Sequence, residues 1–212
     1  MDASLSSLGL VVLSPLLLVC AVLIYFSSRG PVFFRQLRTG LEGDTFRLYK
    51  FRSMVCHPPG QESLLTAAGD PRITPVGSWL RKTKMDELPQ LINVVLGQMS
   101  LVGPRPEVPR YTDKYTREQR RILSVRPGIT GVASVAFASE EQLLAGQVDK
   151  ERFYVTTLMP LKIDMELDYC RDISLWGDVR ILLQTFFAVS SGPRPSPISV
   201  ENSSKLSQET EG

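Results

Sequence analysis

Leu8-Gly9-Leu10-Val11-Val12-Leu13-Ser14-Pro15-Leu16-Leu17-Leu18-Val19-Cys20-Ala21-Val22-Leu23-Ile24-Tyr25-Phe26 is almost wholly apolar, and no charge falls between Ala3 and Ser28. As a helix this run is about 28 Å long at 1.5 Å per residue, barely the thickness of a bilayer core. It predicts a membrane element over residues 1–29. A cleaved leader is disfavoured, because no basic segment opens it and no small-residue cleavage site precedes Arg29-Gly30-Pro31. Arg29, Arg35 and Arg38 would hold whatever follows on the cytoplasmic side. Ser14-Pro15 lies near the middle, where proline removes a backbone donor and crowds the preceding turn. A break there would leave about 17 Å of helix from Pro15 to Phe26, too short to cross the core alone, and invites a hairpin-like path. Kinked helices also span membranes, so physics leaves spanning and re-entrant paths both open.

Outward from this run, the remaining length suits one compact unit. The net charge is only +2, but residues 29–52 carry six Lys/Arg against two acids and residues 105–126 seven against three. From Asp149 onward the balance reverses, to ten acids against seven bases. A cationic middle on a nearly neutral chain points to phosphate or lipid headgroups and not to nucleic acid. Three distant cysteines, Cys20, Cys56 and Cys170, and the one histidine, His57, give neither a zinc pattern nor a disulfide framework. The bulk of the chain is therefore expected in the cytosol.

Val32-Phe33-Phe34 and Thr45 to Phe51 predict two strands of a β-hairpin around Gly40 to Asp44. Residues 55–71 read as loop with at most a short helix. Pro89 places a helix start at Asp86, so that the proline falls in the first turn, with Leu88, Leu91, Ile92 and Val95 as the apolar face and Gly97 as the stop. Gly103-Pro104-Arg105-Pro106 is a stiff loop; a charged helix is expected from about Val108 to Val125, another loop over 126–131, and helices at about 139–145, 160–171 and from Leu175 to Val189. The last segment groups Trp176, Val179, Leu182, Leu183, Phe186 and Phe187, which suits core packing or an interfacial helix, with core packing preferred. Residues 190–212, rich in Ser and Pro, are expected to be a disordered tail. The fold class is α+β and predominantly helical, with residues 30–189 as the catalytic domain.

Asp86 and Glu87 carry the chemistry in this reading. Neighbouring helical carboxylates point about 100° apart, which suits two different jobs better than sharing a proton. A carboxylate can attack phosphorus, and Arg81, Lys82, Lys84 and a helix N-terminus favour its ionised form. Acids in a first turn are, taken alone, commonly just dipole partners. Arg105, stiffened by Pro104 and Pro106, can grip phosphate through two hydrogen bonds, and an ordinary surface turn is the equal alternative. Lys50 and Arg52 alternate at the end of the second strand and would face the same side, where they could meet a diphosphate, although alternating strand charges are more often simply solvated.

Pro31-Val32-Phe33-Phe34-Arg35-Gln36, Tyr49-Lys50-Phe51-Arg52-Ser53-Met54, Asp70-Pro71-Arg72-Ile73-Thr74, Leu80-Arg81-Lys82-Thr83, Asp86-Glu87-Leu88-Pro89-Gln90-Leu91-Ile92-Asn93, Met99 to Pro106 and Arg126-Pro127-Gly128-Ile129-Thr130-Gly131 together resemble the bacterial sugar transferases, the monotopic phosphoglycosyl transferases. The likeness runs in order over about residues 2–188. It implies a UDP-sugar donor, a polyprenyl phosphate acceptor such as undecaprenyl phosphate, Mg²⁺, a membrane-lipid environment, and a place on the cytoplasmic face of a bacterial inner membrane; a homodimer is compatible with it. It implies that Ser14-Pro15 breaks a re-entrant helix that dips into one leaflet. By the same resemblance Asp86 is the nucleophile that releases UMP, Glu87 the magnesium ligand, and Lys50, Arg81 and Arg105 surround the phosphates. The chain resembles the small members, which begin polysaccharide or glycoconjugate assembly. It departs from the family before the membrane helix, where only Asp2 stands in place of basic residues. It departs again at Val132 to Ala138, where many members carry a tryptophan and an Asn-Gly-Arg stretch. An adaptor that only binds anionic lipid or a partner enzyme is the alternative from another class, and a glycosyl transferase releasing UDP is a third.

Overall fold

A computed structural model describes residues 1–55 and 65–191. The tail expected over 190–212 therefore lies outside the described residues from 192 onward, and so does most of the loop expected after residue 55; the first two tail positions are still helical.

Helix α1 (Asp2–Ser27) is unbroken through Pro15. The expected break at Ser14-Pro15 is thus not an interruption of the helix, for a local reason. Pro15 cannot donate to the carbonyl of Val11, four residues back, and the Ser14 hydroxyl donates to that carbonyl instead, at 2.7 Å. One face of α1, Ser6, Gly9, Leu13, Leu17, Cys20 and Ile24, is buried or half-buried at helical spacing, whereas Leu8, Val11, Leu18, Val22 and Phe26 on the other face are exposed. Both ends are tied to the same body. The Asp2 carboxylate accepts from the Ser100 hydroxyl and from the Leu101 N–H. At the other end the Arg52 guanidinium donates to the carbonyls of Ile24 at 3.2 Å, Ser28 at 2.6 Å and Pro31 at 2.6 Å. The helix lies along the domain; it does not project from it.

Strands β1 (Phe33–Thr39) and β2 (Thr45–Phe51) form the expected hairpin, antiparallel, with Phe33 opposite Phe51 and Thr39 opposite Thr45. Helix α2 (Pro75–Lys82) starts at Thr74, whose hydroxyl accepts from the Gly77 N–H at 2.9 Å. Gly77 sits so close to the end of β2 that a Cβ there would stand 1.9 Å from the Ser53 carbonyl oxygen, which explains a glycine inside a short helix. Helix α3 (Gln90–Val95) follows, and its buried side is Pro89, Gln90, Asn93 and Val94. The expected apolar face is therefore corrected: Leu91 and Ile92 are half-buried and Val95 is exposed, with Leu91 facing Gly9 of α1.

A parallel pair joins β3 (Ser100–Val102) to β4 (Gly128–Thr130), the second of which lies in a segment expected to be a loop. They are three residues each, so no alternation announces them. The expected charged helix over 108–125 divides into α4 (Pro109–Thr112) and a six-residue 3-10 stretch, Gln119–Ser124. Thr116 and Gln119 exchange side-chain to backbone bonds at the junction, and these compete with helix continuation. Then come α5 (Val132–Ala136), α6 (Glu140–Ala145), α7 (Lys150–Phe153) and, after one π turn, α8 (Met159–Arg171). The main core gathers Tyr111, Tyr115, Phe137, Leu144, Leu158 and Ile163 between these helices.

The final helix, α9 (Leu175–Ser191), corrects the preference for core packing. Its domain-facing side is Gly177, Asp178, Ile181 and Thr185, small or polar except for the buried Ile181. Asp178 accepts from the Tyr169 hydroxyl and Thr185 bonds Thr130. Trp176 at 82 % exposure, Phe186 at 67 %, Leu183 and Phe187 point outward. The large apolar groups thus face away from the protein, the reverse of a core helix.

Candidate active site

The carboxylate pair sits between α2 and α3. Lys84 takes a left-handed conformation at φ 56°, which turns the chain out of α2 into a single 3-10 turn, Met85–Glu87. Asp86 is therefore inside that turn and is not the helix N-cap; α3 starts at Gln90 behind Pro89, while Leu88 and Pro89 keep helical dihedrals between them. Lys82 and Lys84 are exposed and turn to solvent.

Asn93 sets the register between this turn and the hairpin. Fully buried on α3, it accepts from the Tyr49 N–H at 3.0 Å and donates to the Arg47 carbonyl and to Gln98 Oε1, both at 2.8 Å. That bridge brings Lys50, next along β2, to Glu87. Lys50 Nζ donates to Glu87 Oε1 at 2.8 Å, and Arg105 from the Pro-flanked loop donates to Oε1 at 2.9 Å and to Oε2 at 3.4 Å. Lys50, Asp86, Glu87 and Arg105 thus form one cluster.

Charge divides the pair. Burial opposes ionisation of Glu87, but the Arg105 and Lys50 cations overcome it and hold the carboxyl well below its usual range. Asp86 is only 5 % exposed, and its Oδ1 has no hydrogen-bond partner. Burial pushes its carboxyl up, against the pull of Lys50, and Glu87 pushes the same way. The expectation that neighbouring cations would favour its ionised form is corrected by that burial. Burial also pushes the Lys50 ammonium down, against the pull of Glu87. The result is one carboxylate fixed between cations and one desolvated carboxyl with a free oxygen.

Two expected phosphate-binding residues sit elsewhere. Arg52 is 5 % exposed and caps the C-terminal carbonyls of α1, so it is a strut for the apolar helix and does not join Lys50. Arg81 lies beside the cluster, close enough for its charge to act on Asp86. Its guanidinium is bound by Glu141 of α6 and approaches Ser53 Oγ at 3.4 Å. Sequence reasoning missed Glu141, Asn93 and Glu166, a buried acid whose carboxylate accepts from the Arg105 N–H. Only Asn93 stood in a quoted motif; the two acids look like ordinary helix residues.

Among the described residues no group of three metal-ligating side chains occurs, so these residues alone build no metal cage. A carboxylate with spare lone pairs beside an open oxygen on Asp86 does suit Mg²⁺, which takes one or two carboxylates and completes its shell with phosphate oxygens and water.

The bacterial sugar transferase profile matches residues 1–192. The chain belongs to this family. It is 38 % identical over 191 residues to the UDP-glucose:undecaprenyl-phosphate glucose-1-phosphate transferase of Klebsiella pneumoniae, covering 88 % of this chain and 38 % of that protein. It is 39 % identical over 197 residues to the UDP-N-acetylgalactosamine-undecaprenyl-phosphate N-acetylgalactosaminephosphotransferase of Aeromonas hydrophila, covering 91 % of this chain and 43 % of that one. To the exopolysaccharide production protein ExoY of Sinorhizobium fredii it is 34 % identical over 203 residues, covering 89 % of this chain and 83 % of that relative. This family member thus spans well under half the length of the first two relatives and most of the third.

Proposed function

We propose that this family member transfers a sugar 1-phosphate from a UDP-sugar to undecaprenyl phosphate or a related polyprenyl phosphate, starting assembly of a polysaccharide or glycoconjugate. The observation that carries the reading is the divided pair: Glu87 fixed between Lys50 and Arg105, and Asp86 buried beside it with one oxygen free.

Asp86 attacks the β-phosphorus of the donor, the bond from that phosphorus to the UMP oxygen breaks, and UMP departs with the electron pair. An oxygen of the lipid phosphate then attacks the same phosphorus and frees the Asp86 carboxylate. Lys50, Arg105 and Arg81 offset charge on the phosphates in both steps, with Arg81 moving from Glu141 to phosphate. Glu87 would hold Mg²⁺ together with donor phosphate oxygens, and the ion supplies charge neutralisation at the diphosphate.

The same proposal seats the protein on the cytoplasmic face of the inner membrane. The helix α1 is long and apolar enough to cross a bilayer, with mean hydropathy 2.7 and 11 % of its best window buried. Its attachment to one body at both ends favours a path within one leaflet over a crossing. The outward apolar side of α9 adds a second contact with lipid.

The test is product analysis with UDP-glucose and UDP-N-acetylgalactosamine, undecaprenyl phosphate and Mg²⁺. The account expects UMP and a lipid-linked phosphosugar from the wild type and none from Asp86→Asn. Release of UDP would assign simple glycosyl transfer, and membrane binding without turnover an adaptor.

A further inference from the structure

Helix α8 runs behind the loop that presents Arg105, and it buries two charged residues one turn apart, Lys162 and Glu166. Lys162 is served by Glu140 Oε2 at 3.0 Å and the Tyr154 hydroxyl at 3.4 Å. Glu107 in turn accepts from the Tyr154 hydroxyl and lies 3.9 Å from Arg38. Glu166 differs. It is 4 % exposed, its carboxylate accepts from the Arg105 N–H at 3.5 Å, and the Ala133 N–H in the first turn of α5 favours its ionised form. Its other oxygen, Oε2, is buried without a partner.

Pro104 and Pro106 have no N–H, so Arg105 carries the one backbone donor of this three-residue stretch, and Glu166 takes it. The same residue extends its guanidinium to Glu87. A continuous chain therefore runs from α8, through the Arg105 backbone, to the carboxylate pair. Gly131 completes the crossing, where a Cβ would stand 2.3 Å from the Gly103 carbonyl oxygen and 3.4 Å from Glu166 Oε1. A small cavity of about 20 Å³, lined by Arg105, Tyr115, Lys162 and Glu166 among others, has room for one water.

We propose that Glu166 is a positioning residue for the transfer reaction: its carboxylate clamps the Pro104-Arg105-Pro106 loop against α5 and so fixes the Arg105 guanidinium at Glu87. The inference rests on the proposed function above and names a part of that site which touches no substrate. The charge on Glu166 is costly. Burial pushes its carboxyl up to about 7, opposed by the Arg105 and Ala133 N–H groups and by Lys162. The ionisable groups around it are Arg105 and Glu107 from the loop, Tyr115 from the segment before the 3-10 stretch, Tyr154, and Lys162, Tyr169 and Cys170 of its own helix; α5 contributes none. A raised folded-state value means that ionisation costs stability as the pH climbs from the unfolded value toward 7, and the full cost is present above 7. The ionised clamp is the stronger acceptor, so activity rises over the interval in which stability falls.

The experiment compares wild type, Glu166→Gln, Glu166→Asp and Glu166→Ala in the full chain in detergent. UMP release from UDP-glucose and UDP-N-acetylgalactosamine and thermal melts are followed from pH 5 to 8.5. Glu166→Gln is expected to melt above wild type at pH 8 and near it at pH 5, while turning over about tenfold more slowly at pH 8 and without the wild-type rise through pH 7. Glu166→Asp keeps the charge and is expected to retain the pH dependence in part. If Glu166→Ala does not fold, the glutamine variant carries the test. Wild-type turnover with an unchanged profile in Glu166→Gln, or a Glu166→Gln protein less stable at every pH, overturns this inference alone. Absence of UMP release by the wild type overturns the proposed function together with it.

Discussion

Replacing Arg105 by alanine leaves Glu87 buried with Lys50 as its remaining cation. The guanidinium makes one short contact to Glu87, 2.9 Å, and one long one, 3.4 Å, and its side chain is 32 % exposed. Hydrogen bonds to charged groups contribute about 1.5–3 kcal/mol, and partial exposure together with the surviving Lys50 contact at 2.8 Å puts the loss at about 2 kcal/mol at pH 7. For a domain of this size that lowers the melting temperature by about 4–8 °C. The sign with pH follows from Glu87. Its folded-state carboxyl lies below the usual range, so the stability drawn from its cations is present above the unfolded value of about 4.3 and is lost as pH falls through the folded value. Thermal melts of wild type and Arg105→Ala should therefore differ most at pH 7 and draw together only as the pH falls through the lowered folded value of Glu87, while kcat/KM for the UDP-sugar falls about 10–100-fold. Equal melting at pH 7 would refute the assignment of Arg105 as the cation that holds Glu87 ionised.

Asn93→Leu removes three buried hydrogen bonds between β2 and α3, so stability should fall by about 2–4 kcal/mol, with turnover falling too as Lys50 loses its place at Glu87. Denaturant unfolding checks the first effect and UMP release the second. Arg52→Met removes the guanidinium that serves the carbonyls of Ile24, Ser28 and Pro31; protease cleavage between residues 27 and 32 should become faster than in the wild type. The double substitution Trp176→Glu and Phe186→Glu should leave the melting temperature nearly unchanged, since both side chains are exposed, and should reduce sedimentation with anionic vesicles.

The hairpin and the long helices could be read from the sequence because their signals are local: alternation in β2, and runs of helical period in α8 and α9. The cluster of Lys50, Asp86, Glu87 and Arg105 was named on residue type and motif and is assembled in space. What could not be read depends on contacts distant in sequence. Arg52 looks like a partner of Lys50 along the strand, and only the position of α1 makes it a cap for three carbonyls. The strand pair β3 and β4 is too short for periodicity to show. The outward face of α9 has the composition of a core helix, and only its small and polar inner side shows the difference. Asp86 was placed at a helix N-terminus by its proline, but the left-handed turn at Lys84, on a residue that rarely adopts it, set a 3-10 turn there instead.

In the proposed mechanism Asp86 becomes covalently attached to the phosphosugar. The direct measurement is incubation of the full chain with UDP-sugar labelled in the sugar, Mg²⁺ and no lipid acceptor, followed by denaturation and counting of label on the protein. The account predicts label on the wild type, none on Asp86→Asn, and its discharge when undecaprenyl phosphate is added before denaturation. Equal labelling of Asp86→Asn, or turnover to lipid product with no label ever on the wild type, would contradict it.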